Sequence, residues 1–463
     1  MSYAYDERLR RKTATDAQGG VTRYEYNNRD QQTAMLRPLS AAHRWVYDYD
    51  EAGRLVGVRG PQSGRTEYAY DRSDNRTSMI DARDKSTTYL YDALGRLTLV
   101  THPDATTDTY EYDKQGNRKL WKRGDDQRIS RDFDGLNRTT TERYAPPSSD
   151  GLTQVISAYD GNGNATRVEQ HFGLEVATTS ATYDVFDRRT AMIDRNGVTI
   201  TQVFDRNHNR TERTGPEGPS KFTYNALNQL TELKSPPAPA STPQSNFTVS
   251  PAGRLLGIEH SNGTRVEVQR DTLGRVSAVR HLLGSAALLA LSYTLDANAN
   301  RSAEVWDRGG DSHQISYEYD QADRLTAISS DGARVQYVLD PVGNRLSESS
   351  GGETRIHSYD DRNRLTETRV NNAVVESSVY DANGRQIERA AAGISSTYRY
   401  SASDRLLGVS SNGTEQVRYQ YDASGQRSSR VAASQFEGYQ WDGTKLAGRT
   451  NAVGNSLGDY QHA

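Results

Sequence analysis

The sequence predicts an all-β protein in which a long run of β-hairpins extends one antiparallel sheet. Three observations carry that prediction. A phrase of the type "YLYDALGRLT", residues 89–98, recurs along the whole chain. Its copies mostly stand 20 or 21 residues apart, and never more than 26. Within a copy, the residues before the Asp alternate with period two, which is the spacing of a strand.

Anchored on the residue before the Asp, the chain holds 21 copies, from Tyr5 to Trp441. The anchor is aromatic in 17 of them, and the next residue is Asp in 17 and Asn or Ser in the other four. Such side chains bond the backbone two residues on and initiate turns. Three residues after the Asp stands Gly in nine copies, Asn in three, Asp in five and His, at His208, in one. These residue types tolerate positive φ. The motif therefore predicts a type I turn closed by a left-handed residue, a common hairpin connection. The turn positions it singles out are Asp50 and Gly53, Asp92 and Gly95, Asp113 and Gly116, Asp271 and Gly274, Asp340 and Gly343, Asp381 and Gly384, and Asp422 and Gly425.

The strand before each turn carries an aromatic ladder on one face. Its clearest members are Tyr47 and Tyr49, Tyr68 and Tyr70, Tyr89 and Tyr91, Tyr110 and Tyr112, Tyr317 and Tyr319, Tyr398 and Tyr400, and Tyr419 and Tyr421. Cross-strand packing within the sheet is the expected role of these rings. After the turn, "RLT" or a similar run predicts a second strand. A second turn follows, such as "SNGT" from Ser261 or "SDGA" from Ser330. The Pro-rich stretches "APPSSDG" from Ala145 and "SPPAPASTPQS" from Ser235 read as swollen second turns near 145–151 and 235–245, because the register resumes after each. Residues 1–445 are thus expected to form a single continuous repeat domain, with 446–463 as its C-terminal end.

Hydrophobic residues make up only 34% of the chain, and the mean hydropathy is -0.86. Both predict a thin core, while 28 Tyr at fixed spacing argue against disorder. About six residues per strand give a strand length of roughly 20 Å, and some forty strands make a ribbon roughly 200 Å wide. Strand twist forbids a flat sheet of that width. Wound once, it would measure about 60 Å across, wider than a barrel filled by its own side chains. The expected form is a curved or spiral hollow shell with a largely polar inner wall.

Several functions find no support. With 57 basic and 60 acidic residues the net charge is -3, and no basic stripe offers a nucleic-acid footprint. There is no Cys for a disulfide or a thiolate. The start "MSYAYDERLR" lacks the apolar region of a conventional signal peptide. The longest apolar run, "HLLGSAALLALSYTL" from His281, is too short and broken to span a bilayer. "DPVGNRLS" from Asp340 falls in repeat register and reads as a turn. "GNSLG" from Gly454 matches a nucleophile elbow but has neither a following helix nor a properly placed His. The nine His lack metal-ligand spacing. No catalytic, cofactor-binding or metal residue is assigned, and no cofactor is expected.

"YDALGRLT", "YDEAGRLV", "YDANGRQI" and "YDASGQRS" resemble the YD repeats of the bacterial RHS family, with similar repeats in the B and C components of insecticidal toxin complexes and in animal teneurins. The resemblance runs from Tyr5 to about Trp441. It implies a spiral β-cocoon around a toxic C-terminal segment, which is released by self-cleavage or kept until delivery by a secretion apparatus such as type VI secretion. The function it implies is encapsulation within an RHS-type polymorphic toxin of bacterial competition. The implied partners are the toxin cargo, or a C-terminal core and toxin segment, and a secretion-system component. The chain would reside in the bacterial cytoplasm before export. The competing function is a cell-surface adhesion module that binds glycans or protein. Family shells end in a core with an Asp-Pro-x-Gly-x-x-x-Gly motif. This sequence ends before such a core and begins inside a repeat, so it is expected to be a shell segment without self-cleavage or enzymatic activity.

Overall fold

The computed structural model describes residues 1–62, 64–216, 218–235, 244–442, 445–451 and 456–459. Among them the regular structure is all β, with 43 strands in one antiparallel sheet and no helix. Every pairing described joins strands consecutive in sequence. Arg44–Tyr49 pairs with Leu55–Arg59, which pairs in turn with Arg65–Tyr70. The sheet therefore has two long edges made of turns.

One edge consists of the Asp turns. At "DALGR" the Asp92 N–H donates to the Arg96 carbonyl at 2.9 Å, and the Gly95 N–H donates to the Asp92 carbonyl at 3.0 Å. Gly95 has φ +73°. The equivalent residue has positive φ in all twenty copies up to Gly425. Gly53, Gly116, Gly274, Gly343, Gly384 and Gly425 all do, with φ between +78° and +101°. Leu9 and Ala299 are held there too, at +62° and +71°, although their Cβ disfavours it. The register shifts by one residue beside these turns, as at Tyr5, Tyr70, Tyr112 and Tyr421. In the first hairpin quoted, Asp48 opposes Gly57 but Tyr49 opposes Leu55. A bulge of this kind increases local twist.

The other edge consists of return turns, and these change character along the chain. Asp16–Gly20, Asp81–Lys85, His102–Thr106, Arg123–Gln127 and Asp194–Val198 are five-residue turns that repeat the hydrogen-bond pattern of the Asp turns. From Gly309 to Ser434 the return turns are tight, with two central residues at positive φ. Examples are Asp331 and Gly332 at +49° and +81°, and Asn371 and Asn372 at +48° and +64°. That is the type I′ signature. The longest apolar run of the sequence forms one hairpin, Val276–Leu283 with Ala286–Leu295. Of the two Pro-rich stretches, the first holds a five-residue turn, Ser148–Leu152, after the strand Thr139–Ala145. Residues 236–243 of the second lie outside the described residues.

The chain divides into two compact units, Met1–Thr106 with Gly263–Ser377, and Thr107–Asn262 with Ser378–Ala463. Each unit thus combines an earlier and a later stretch of sheet. The core is thin, as the low apolar content predicts. In the second unit it is a small cluster of Ile129, Tyr144, Leu152 and Ala402, with Trp121, Val155 and Phe172 against it. The chain exposes 25573 Å², whereas a compact globular protein of its mass exposes about 17,000 Å².

Replacing Gly95 with Val is expected to destabilise by more than ~1 kcal/mol, because a β-branched residue at positive φ is strained. Replacement with Asn should be mild, since Asn137 and Asn363 already hold that position at φ +61°. Equal urea midpoints for the two variants would refute the role assigned to the left-handed position.

Candidate functional site: clasps between repeats and seams between edges

The repeated Asp is a hub for its own turn. In Asp92, Oδ1 accepts the N–H groups of Leu94 and Arg96 at 2.9 and 3.0 Å, and Oδ2 accepts Nε of Arg96 at 2.7 Å. Asp50 and Arg54 do the same, as do Asp271 with Arg275 and Asp381 with Arg385. In Asp113, Asp340 and Asp160 the side-chain donor is an Asn four residues on. The Asp422 carboxylate accepts from the N–H groups of Ser424 and Gln426. These donors hold the carboxylates of Asp50, Asp92, Asp113, Asp160 and Asp271 below their ordinary range. For Asp92 the Arg96 side chain is the main cause, and for Asp50 the Arg54 N–H.

That same Arg then reaches into the next repeat. Arg54 Nη1 donates to the carbonyl of Asp71 at 2.6 Å and to Oδ1 of Asp74 at 2.9 Å, while its guanidinium lies 4.9 Å from the centre of the Tyr70 ring. Arg10 does this to Asn27, Asp30 and Tyr26, and Arg385 to Ser401, Asp404 and Tyr400. Where Asn replaces Arg, the clasp is shorter: Asn117 donates to Asn137, and Asn344 to Asn363.

The anchor tyrosine closes the clasp from the other side. The Tyr70 hydroxyl donates to the Leu55 carbonyl of the preceding repeat at 2.9 Å. Tyr49, Tyr91, Tyr319 and Tyr421 make the equivalent bond to Gln32, Arg76, Arg301 and Leu406, and Trp441 uses its indole N–H on Arg427. The inner member of each Tyr pair packs across the strand. Tyr47 opposes Val58, Tyr68 opposes Met79, Tyr89 opposes Val100, Tyr317 opposes Ile328, and Tyr398 opposes Val409. Tyr110 stacks on Trp121 with ring centres 6.2 Å apart, and the Tyr419 ring lies 4.1 Å from the Arg427 guanidinium. Tyr112 opposes Arg118 at the bulge.

A second set of contacts joins the two edges within each unit. In the first unit, return turns of the earlier stretch meet Asp turns of the later one. Arg37 pairs with Asp323 and donates to the Asn298 carbonyl at 2.7 Å. Arg83 donates to the Asp360 carbonyl at 3.0 Å and to the Asn363 side chain at 2.6 Å, and Asn363 donates back to Asp81 at 3.0 Å. Arg364 reaches Asp104 at 3.1 Å. Gly64 permits close approach here, because a Cβ on it would lie 2.8 Å from the Pro341 carbonyl oxygen. The second unit repeats the scheme. Arg123 is buried and grips both carboxylate oxygens of Asp404 at 2.6 and 2.8 Å, and donates to the Ala402 carbonyl at 2.8 Å. Arg385 reaches Asp125 at 2.9 Å, and Arg195 donates to the Tyr421 carbonyl at 2.7 Å. Asp340, in the Asp-Pro-x-Gly stretch, is a buried turn residue whose Oδ1 accepts three backbone N–H groups. Ser456, of the elbow-like motif, lies in the strand Ser456–Asp459.

The longer return turns make these seams: five-residue turns and the seven-residue turn Arg37–His43. The arginines were the functional signal left unused in the sequence, although an Arg stands four residues after nine of the 17 Asp positions. Among the described residues, no group of three or more His, Asp or Glu is placed to hold a metal ion. No helix is long and apolar enough to cross a membrane.

Residues 244–437 match the teneurin YD-shell family, and residues 49–86, 77–107 and 91–120 match the RHS repeat, together more than half of the chain. The chain belongs to the RHS/YD-repeat family. No curated protein matches the sequence. Among solved structures, the crystal structure of TcdB2-TccC3-TEV aligns over 100% of this chain at 13% identity and a TM-score of 0.70, and this chain spans 30% of its length. The Photorhabdus luminescens Tc holotoxin pore aligns over 100% of this chain at 12% identity and a TM-score of 0.49, again over 30% of its length. At these identities the likeness is one of fold. The YD phrase is thus a clasp: Tyr bonds backward, Asp organises the turn, and Arg bonds forward.

Two outcomes test the clasp. Tyr70→Phe should cost about 1 kcal/mol, the usual net value of a hydrogen bond, and Arg54→Lys should also lower the urea midpoint because Lys lacks the planar fork. A carboxylate held below its unfolded value of about 3.9 stabilises fully above that pH, and the contribution is lost as pH falls toward the folded value. The urea midpoint should therefore be level from about pH 7 to 5 and drop between about pH 4 and 2. Changing Asp50, Asp92 and Asp184 to Asn should flatten that drop, and an unchanged slope would refute it.

Proposed function

We propose that this chain is a wall segment of a toxin-enclosing shell, a structural container rather than an enzyme. The observation that carries the reading is the fold likeness to TcdB2-TccC3-TEV over the full length of the chain. The thin core supports it, since few side chains are fully buried where a globular domain has a filled interior. In this reading the sheet winds into a curved or spiral hollow body. The partner is a toxin cargo, or a C-terminal core and toxin segment. The chain is made in the bacterial cytoplasm, then secreted or delivered by a secretion-system component. As a part of an RHS-type polymorphic toxin it would act in bacterial competition.

The adhesion reading ranks below it for a physical reason. Sugar binding by stacking needs free ring faces. The anchor rings Tyr26, Tyr70, Tyr159 and Tyr400 lie under guanidinium groups 4.7 to 5.5 Å from their centres.

Small-angle scattering tests the container. A hollow body should give a radius of gyration clearly above the compact value of about 23 Å for this length, with a pair-distance distribution skewed to long distances. A value near the compact one would overturn the proposal, and saturable binding on a glycan array would favour adhesion.

A further inference from the structure

The fifth residue after the repeated Asp is Arg in eight copies. In seven of them the guanidinium lies within 5.4 Å of the centre of an inner ring, two residues before an anchor. Arg76 lies 4.9 Å from Tyr89, Arg301 4.2 Å from Tyr293, and Arg427 4.1 Å from Tyr419. Arg189 is the eighth. Among the described residues no ring lies over it. Its Nη1 donates to the Met192 sulfur at 3.3 Å, and its buried Nε meets no acceptor. The sequence explains the difference. In the hairpin of Arg189 the inner position is Ala181, and in the flanking repeats it is Ser157 and Gln202. Ala181 opposes Met192 as Tyr68 opposes Met79, so the place of a ring is open. A cavity of about 280 Å³ stands there, within the second unit. It is lined by Arg189, Ala181, Met192, Val155, Val168 and Trp441, and bounded by the turn Asp422–Gln426.

We propose that this cavity binds a small aromatic carboxylate, its ring in the place of the absent inner ring and its carboxylate on Arg189. A guanidinium attracts the face of a ring, more so when desolvated, and its fork pairs well with a carboxylate. Val155, Val168 and Met192 offer the ring apolar contact. The Trp441 indole N–H is held by the Arg427 carbonyl at 2.7 Å, which fixes that wall of the cavity. The volume is just under the ~300 Å³ at which small-molecule pockets begin, and so suits a single ring with a short acid arm. Asp422 is the other charged group of the lining. Its Oδ1 accepts the N–H groups of Ser424 and Gln426 at 3.0 and 2.9 Å, which offsets its repulsion of an anion. The site rests on the packing of the repeat and is independent of the container reading, since a wall without it would enclose a cargo equally well.

The probe is 4-fluorophenylacetate, followed by fluorine NMR against the full chain. Saturable broadening of its resonance is expected, reversed by unlabelled phenylacetate and not by acetate. 4-Fluorotoluene, which has the ring without the acid, should bind about tenfold more weakly, because a charge-assisted pair is lost. Arg189→Gln should weaken binding of the acid by a similar factor. Ala181→Tyr should abolish it, since this substitution restores the ring that the repeat carries elsewhere. A circular dichroism melt no lower than that of the parent chain would establish that the variant is folded. Absence of saturable broadening, displacement by acetate as effective as that by phenylacetate, or equal binding to the folded Ala181→Tyr chain would overturn the proposal. The comparison of ligands involves no substitution, so it decides the matter even where a variant fails to fold.

Discussion

The structure depends on one side-chain pairing repeated along the sheet edge, an Asp carboxylate with the Arg or Asn four residues on. The Asp carboxylate gathers the N–H groups of its turn and holds the Arg four residues on. The Arg, fixed in direction, then bonds the main chain of the next turn and covers its aromatic ring. Neither element would be strong alone. Half-exposed ion pairs contribute little, and a single hairpin is marginal in water. Linked in series, they make each repeat a template for the next. Stability in such a chain is close to a sum of local terms and nearest-neighbour terms, so a thin core suffices.

Much of the repeat was legible in sequence. Period-two alternation, Asp at the turn, and Gly, Asn or Asp three residues later all report local backbone preferences, which recur because the same φ recurs. The legibility fails in two instructive places. At Leu9 and Ala299 the flanking hairpin imposes a left-handed backbone on residues that do not favour it, so context overrides propensity. The arginine was visible as "GRL" but its role was not. Its partners lie in the following repeat and become apparent only when two hairpins stand side by side.

The seams were not legible at all. Arg83 and Asn363 are 280 residues apart, and Arg123 and Ala402 are 279 apart. No local pattern announces such pairs. A trace does exist in retrospect. The return turns that engage another edge are long and carry Asp or Arg, whereas those from Gly309 to Ser434 are tight and small. The change of turn length along the chain is thus a written record of which part of the edge has a neighbour.

The same spacing governs how such a gene can change. Residues that face each other across a seam are separated by about a dozen repeats, each of two strands. Swelling one loop, as in the Pro-rich stretch from Ala145, leaves every other turn opposite its old neighbour. Losing or duplicating one whole repeat between the two stretches would slide all later turns one place along the earlier edge, like a zip fastened one tooth out. Arg123 would then face a turn other than the one bearing Asp404. Point substitutions and loop insertions are therefore the cheap routes of divergence, while a change in repeat number must be matched by new side chains along an entire edge at once.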